Sequence, residues 1–317
     1  MATRDLVLPV GPPVSLEYQI GRMEDIDAVR RALGEHGEDL VLVDVRRTGK
    51  TTVAQCSLEL LANAGHHVYA LDAMENAPSA ADLAERLCRQ LAAYRSGRLR
   101  TFEAATSAVQ WIAAHGRGVV ASIEDAETRA ATNTLLAVLG TQRRTGVEQL
   151  VEVLDQIEAE AAVSGRRAVV LCDEVQAIVD WPDTADLQKE LRLRLRRSDG
   201  NIAYLFAGSR PTIVETLFRR GGMLDFQGVE HRLRSISEVA WHEGLTSAFQ
   251  SLGTAIEGAA IRVILDASEG HPLRTMLAAR ETHALAERRL GAATEGVAVI
   301  GAAQARRQHL WQIEDTP

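Results

Sequence analysis

Leu40-Val41-Leu42-Val43 runs straight into Asp44-Val45-Arg46-Arg47-Thr48-Gly49-Lys50-Thr51-Thr52. Four consecutive apolar residues read as a strand buried on both faces, and Gly-Lys-Thr-Thr after a short loop reads as a helix start. Strand, tight loop and helix in that order form the layout of a phosphate-binding P-loop. Such a loop turns backbone N–H groups and a helix N-terminus towards phosphate, and Lys50 adds a mobile positive charge. Arg46, Arg47, Thr48, Gly49, Lys50, Thr51 and Thr52 are therefore the candidate nucleotide-binding residues. One position departs from the pattern: Asp44 stands where a P-loop has its first glycine. A carboxylate about 6 Å from a phosphate charge, at an effective dielectric of about 20, costs roughly 3 kcal/mol, or about a hundredfold in affinity. Its Cβ also stands where backbone should approach closely. Pairing with Arg46 or Arg47 would draw it away, so binding weaker than usual, or tuned, is expected.

A second stretch supports the first. Ala168-Val169-Val170-Leu171-Cys172-Asp173-Glu174 reads as a buried parallel strand that delivers two acids at its C-terminal end. Open α/β sheets bind their ligands at that edge. Asp173 is the candidate for the Mg²⁺ water shell, with Thr51 as its companion metal residue, and Glu174 is the candidate general base. An ordinary strand followed by an acidic helix cap is the alternative for this stretch taken alone.

Five pieces in order carry a family resemblance. Ile20-Gly21-Arg22-Met23-Glu24-Asp25-Ile26 resembles a Gly-Arg-x-x-Glu motif that lies near the adenine. Val45 to Thr51 resembles a Pro-Arg-Arg-Thr-Gly-Lys-Thr loop, and Asp173-Glu174-Val175-Gln176 an Asp-Glu-hydrophobic-Gln strand end. Tyr204-Leu205-Phe206-Ala207-Gly208-Ser209 resembles the next strand, and Gly270-His271-Pro272 the turn of a helical lid. The chain thus resembles the archaeal-type ATPases of the STAND and AAA+ group, relatives of the origin-recognition ATPases, over roughly Glu17 to Ala279. The resemblance implies ATP and Mg²⁺ as ligands, with Gly21, Arg22, His271 and Pro272 joining the loop in holding the nucleotide. It implies Arg274 as a lid residue sensing the γ-phosphate, and Ser209 as a contact to that phosphate or to the attacking water. Ser209 reads equally as the cap of a helix starting at Pro211. Arg219 and Arg220 hold the place of an arginine finger, against the plainer reading that basic residues meet a helix C-terminus favourably. Family members often continue into a winged helix; this chain stops at Pro317, so the resemblance implies a DNA-reading module that is missing or supplied by a partner.

Composition bounds these readings. A chain of 317 residues at 46% hydrophobic can bury an α/β core and a second small domain. A net charge of -8 argues against a broad nucleic-acid surface, since such binding is mostly phosphate neutralisation by Lys and Arg. Cys56, Cys88 and Cys172 sit in apolar patterns and are expected as reduced core thiols. No signal-peptide pattern or membrane-length apolar run is seen, so a cytoplasmic protein with no membrane partner is expected. No G-x-G-x-x-G follows the first strand, which argues against a dinucleotide oxidoreductase.

Along the chain, 1–15 is expected to be an irregular lead-in. A P-loop ATPase domain is expected over 16–238, an α/β fold with a mostly parallel sheet between helices, and a small α-helical lid over 239–317. Helices are expected at Glu24 to Gly34, after the loop to Gly65, at Ser79 to Tyr94, Glu148 to Ala162 and Asp186 to Arg197, the last ending in a solvated basic face. Further strands are expected at His67 to Asp72 and Asn201 to Ala207. The span from Gly97 to Gly146 gives only a short strand candidate, Val119 to Ile123. Three functions fit: a Mg-dependent ATPase switch, a nucleotide-binding scaffold with little turnover, and a DNA-associated ATPase working with a partner. A homo-oligomer or a protein client is compatible with each.

Overall fold

The structure is a computed structural model that describes residues 7–10, 14–74, 79–95, 145–196, 200–226, 228–289, 291–308 and 311. Most of the span from Gly97 to Gly146, and with it the strand candidate at Val119 to Ile123, lies outside the described residues. The chain forms two compact units. One holds Asp27–Asp44 and Ala54–Arg232; the other holds Met1–Ile26, Val45–Val53 and Leu233–Pro317.

The first unit is built on a parallel five-stranded sheet: β1 (Leu40–Val43), β2 (His67–Asp72), β3 (Ala168–Asp173), β4 (Ile202–Gly208) and β5 (Val229–Arg232), in the order β2-β3-β4-β1-β5. Four of these strands are the apolar runs of the sequence. The helices are α1 (Met23–Arg30), part of this unit from Asp27 on and continued by a π-helical turn Arg31–His36, then α2 (Lys50–Asn63), part of it from Ala54 on, α3 (Ala80–Arg95), α4 (Gly146–Ser164), α5 (Thr184–Leu195) and α6 (Pro211–Phe218). Side chains alternate across a strand, so each strand feeds both faces. Val41, Val43, Tyr69, Leu71, Val170, Cys172, Tyr204 and Phe206 share one core with residues of α3, α4, α5 and α6. Their alternates Leu40, Leu42, Val68, Val169, Leu171, Ala203 and Leu205 are just as buried, which explains why no polar residue interrupts these strands.

The chain leaves β1 for the far edge at β2, returns through β3 to β4, and passes over β1 to reach β5. Right-handed crossovers in opposite directions place their helices on opposite faces. The direction reverses between β1 and β4, so their C-terminal ends flank the switch point where such sheets bind ligands. In the register Val43 is level with Gly208, so Asp44 and Ser209 both leave the sheet there.

Local signals explain the helix ends. Thr145 and Glu148 close a capping box on α4: the Glu148 N–H donates to Thr145 Oγ1 at 3.2 Å, and the Thr145 N–H to Glu148 Oε2 at 2.7 Å. Gly165 ends that helix in the left-handed region at φ 66. The end of α5 is a solvated basic face at Arg192 and Arg196, as expected, but not at Arg194. Arg194 is buried and donates to Val151 O at 2.9 Å and to Asp155, while Arg192 and Arg196 both reach Asp225. The outer edge of β2 is covered by α3. Tyr94 Oη accepts from the Val68 N–H at 2.7 Å, Gln90 exchanges two bonds with Ala70 at 2.9 Å, and Arg86 donates to Asp72 O at 2.8 Å. Four residues of helix rise about 6 Å and two residues of strand about 6.6 Å, so side chains spaced by four meet alternate strand residues.

Asp39 sits at the opposite end of the sheet, just before β1. Its Oδ1 accepts the Tyr204 N–H at 2.8 Å and its carbonyl accepts the Val229 N–H at 2.8 Å. Burial pushes its carboxyl up to about 7, opposed by the Tyr204 amide. A carboxyl raised in the folded state binds a proton that the unfolded chain has already lost. Its contribution to stability is therefore fully present below about pH 4 and is lost as pH rises through about 7. Asp39→Asn keeps the acceptor and removes the titration. Urea unfolding should show the variant about 2 kcal/mol more stable than wild type at pH 8, with little difference at pH 4. A difference of the same size at both pH values would count against this assignment.

The second unit has its own core. Helices α7 (Glu238–Ser251), α8 (Gly258–Ser268), α9 (Pro272–Arg288) and α10 (Glu295–Ala305) bury Trp241, Phe249, Ile261, Ile264, Leu277 and Val297, together with Val7 and Leu8 from the N-terminal segment. Helix α7 starts at Glu238, where the Ser237 side chain accepts the Ala240 N–H at 3.2 Å. Among the described residues no helix is long and apolar enough to cross a membrane.

Candidate functional site

The loop between β1 and α2 is folded upon itself. Val45 O accepts from Thr48 Oγ1 at 3.0 Å and from Lys50 Nζ. Lys50, the first residue of α2, is only 5% exposed. Arg47 (φ 65) and Gly49 (φ 101) are left-handed, and alternating backbone of this kind turns successive N–H groups to one side, which is the nest that receives an anion. Gly49 is required by its dihedral, since L side chains rarely adopt it. Asp44 is not among the left-handed residues. Its backbone therefore does not need glycine, and only close approach would favour one there. Thr52 Oγ1 accepts the Val14 N–H at 3.4 Å, and Arg46 is exposed. The residues suit a triphosphate: a turned set of N–H groups, an ammonium, and the hydroxyl of Thr51 at the helix start.

Arg22 belongs to the same unit, and its guanidinium is engaged with protein groups. It donates to Thr48 O at 2.7 Å, to Asp25 Oδ2 at 3.0 Å and to Arg234 O. Gly21 is left-handed (φ 64), and a Cβ there would fall 2.6 Å from Ile236 Cγ2. His271 precedes α9 and Pro272 is its first residue. Arg274 lies 3.6 Å from Glu269 Oε2.

The acidic strand end belongs to the sheet unit. Asp173 Oδ1 accepts the Glu174 N–H at 2.8 Å, and in the sheet register Asp173 is paired with Asp72. Burial raises the Asp72 carboxyl above the usual carboxylate range; the Met74 N–H lowers it in part, and neighbouring Glu174 raises it further. Glu174 is left-handed (φ 50) and precedes a 3₁₀ turn, Val175–Asp180. A non-glycine residue in that region is held there by its surroundings. Here the holders are visible: Ser209 Oγ donates to Glu174 Oε2 at 2.7 Å, and Gln176 Nε2 donates to the same oxygen. Gln176 also accepts the Ser209 N–H at 3.2 Å and approaches Ser209 Oγ at 3.3 Å. Gly208 makes room, since a Cβ there would lie 2.5 Å from Gln176 Oε1.

These contacts bear on one of the two sequence readings of Ser209, the helix cap. The residue before α6 is Arg210, and its side chain makes no cap bond, so Ser209 does not cap that helix. It holds Glu174 instead. Gln176 closes the Asp-Glu-hydrophobic-Gln strand end but has no role assigned from sequence; the approach of β3 to β4 at Gly208 gives it one. Arg219 and Arg220 are exposed and follow α6, which runs eight residues away from Ser209. Among the described residues no group of three or more His, Cys, Asp or Glu is arranged to hold a metal. Mg²⁺ bound largely by phosphates and waters needs no such group.

Solved structures share this architecture. The Walker-type ATPase PABY2304 of Pyrococcus abyssi matches with TM-score 0.58 at 15% identity, over 94% of this chain and 75% of that one. The ORC2 protein of Aeropyrum pernix, solved as ADPNP and ADP complexes, matches with TM-score 0.56 at 15% identity, over 90% and 68%. The ORC1 protein of Aeropyrum pernix, solved with DNA, matches with TM-score 0.56 at 15% identity, over 96% and 70%. No protein-family model matches the sequence, and no curated protein matches it. The chain has the α/β fold of P-loop NTPases, and at these identities the likeness is one of fold.

Proposed function

We propose that this protein binds Mg-ATP and hydrolyses it, using the reaction to switch conformation. The observation that carries the reading is the β1–α2 loop, where left-handed Arg47 and Gly49 precede a nearly buried Lys50 at a helix start. Lys50 exchanges Val45 O for the β and γ oxygens, and the loop N–H groups take the remaining phosphate oxygens. Mg²⁺ offsets phosphate charge when bound, and Thr51 and Asp173 are the residues that would hold it with its waters. Glu174 takes the proton from the attacking water, with Ser209 and Gln176 fixing its carboxylate. Arg274 reports the γ-phosphate to the C-terminal helices, whose movement is the output. Gly21, Arg46, Thr48, Thr52, His271 and Pro272 complete the nucleotide contacts in this reading. The order of the five motifs supports placement in the STAND/AAA+ group, which also makes a homo-oligomer or a client protein the natural partner.

Calorimetric titration with Mg-ATP and Mg-ADP tests the proposal, and no saturable heat up to millimolar nucleotide would overturn it. A nucleotide-binding scaffold with little turnover is the second reading, and Asp44 favours it. Asp44→Gly should tighten Mg-ATP about tenfold, because a half-buried carboxylate beside the phosphates is partly screened. Unchanged or weaker affinity would remove Asp44 as the cause of any weak binding.

A further inference from the structure

Arg22 joins three segments far apart in sequence. Asp25 lies on α1, which starts just after Arg22, Thr48 lies in the loop, and Arg234 lies in the stretch that leads from β5 to α7. Asp25 is itself 1% exposed, and its other oxygen accepts the Arg234 N–H at 3.4 Å. The backbone of Arg22 is fixed in turn, its N–H donating to Gln19 Oε1 at 2.8 Å. A buried ion pair is a poor source of stability compared with apolar packing, and its best-attested use is to hold one geometry.

The geometry held here concerns the Thr48–Gly49 peptide. Carbonyl and N–H point in opposite directions across a trans peptide. With the Thr48 carbonyl tied to the guanidinium, the Gly49 N–H is turned to the opposite side of the loop. The same guanidinium holds Arg234 O, so the peptide's orientation is tied to the segment entering the C-terminal helices. We propose that Arg22 is a positioning residue for the phosphate loop, setting the Gly49 N–H and coupling it to the segment around Arg234, and not a contact to the base. The proposal rests on the reading of this loop as a phosphate site.

Mg-ATP and inorganic tripolyphosphate are the two probes, titrated by calorimetry into wild type and Arg22→Lys at a temperature where circular dichroism shows both folded. Lysine keeps the charge and loses the fork that reaches two carbonyls at once. A loss of about tenfold or more on both probes is expected. Equal affinity of the two proteins for both probes overturns the proposal. So does a loss on Mg-ATP alone, which would assign Arg22 to the base. If wild type binds neither probe, the phosphate-loop reading falls and takes this proposal with it. Should Arg22→Lys not fold, Asp25→Asn slackens the anchor of the guanidinium while keeping a carbonyl acceptor. A loss of about threefold on both probes then supports the proposal, and no loss overturns it.

Discussion

Lys50→Ala should weaken Mg-ATP binding by at least about a hundredfold while leaving the protein as stable as before. An ammonium about 4 Å from a phosphate charge, at an effective dielectric of about 20, contributes roughly 4 kcal/mol, which exceeds two orders of magnitude in affinity. The stability half of the expectation is the more diagnostic. Lys50 is nearly buried and opens α2, where the helix macrodipole opposes a positive charge. Alanine is the best helix former, and Val45 O keeps its bond from Thr48 Oγ1. A lysine placed against both burial and the dipole is explained by a ligand that needs it. Calorimetry beside thermal melts gives the answer: an affinity change below about threefold, or a variant that melts far lower, would make Lys50 a structural residue.

Glu174→Gln should lower the rate of ATP hydrolysis by about a hundredfold or more and leave Mg-ATP affinity within about threefold. General-base removal has effects of that size. Glutamine retains an oxygen that accepts the Ser209 hydroxyl and the Gln176 amide, so the turn at residue 174 keeps its holders. What is lost is the ability to take a proton. Phosphate release measured under single-turnover conditions separates chemistry from product release. Equal rates for wild type and variant would remove the enzyme reading and leave the binding scaffold.

Four of the five strands were legible because each is an apolar run covered on both faces. β5 was not. Val229-Glu230-His231-Arg232 is mostly exposed, pairs among the described residues only with β1, and carries the charges that edge strands use against further pairing. The loop and the acidic strand end were legible because P-loop chemistry is local in sequence. Gln176 stands in the strand-end motif, but its role is not legible there, because it exists only where β3 and β4 run side by side and Gly208 leaves space. Arg22 is expected through resemblance to contact the nucleotide; its bonds to Thr48 and Arg234, 26 and 212 residues away, are set by the fold and cannot be read from the Gly-Arg-x-x-Glu motif. Ser209 was left between two roles because a hydroxyl's partner depends on which backbone crosses it.

The covering of β2 by α3 bears on how copies of this protein can meet. An unsealed outer strand invites a foreign segment to pair with it, in domain swaps and in fibrils alike. Here an intruder would first have to strip Tyr94, Gln90 and Arg86 from the main chain of Val68, Ala70 and Asp72. Self-association by sheet extension is thus turned away from this margin by a helix, and opposed at the other by the charges of β5.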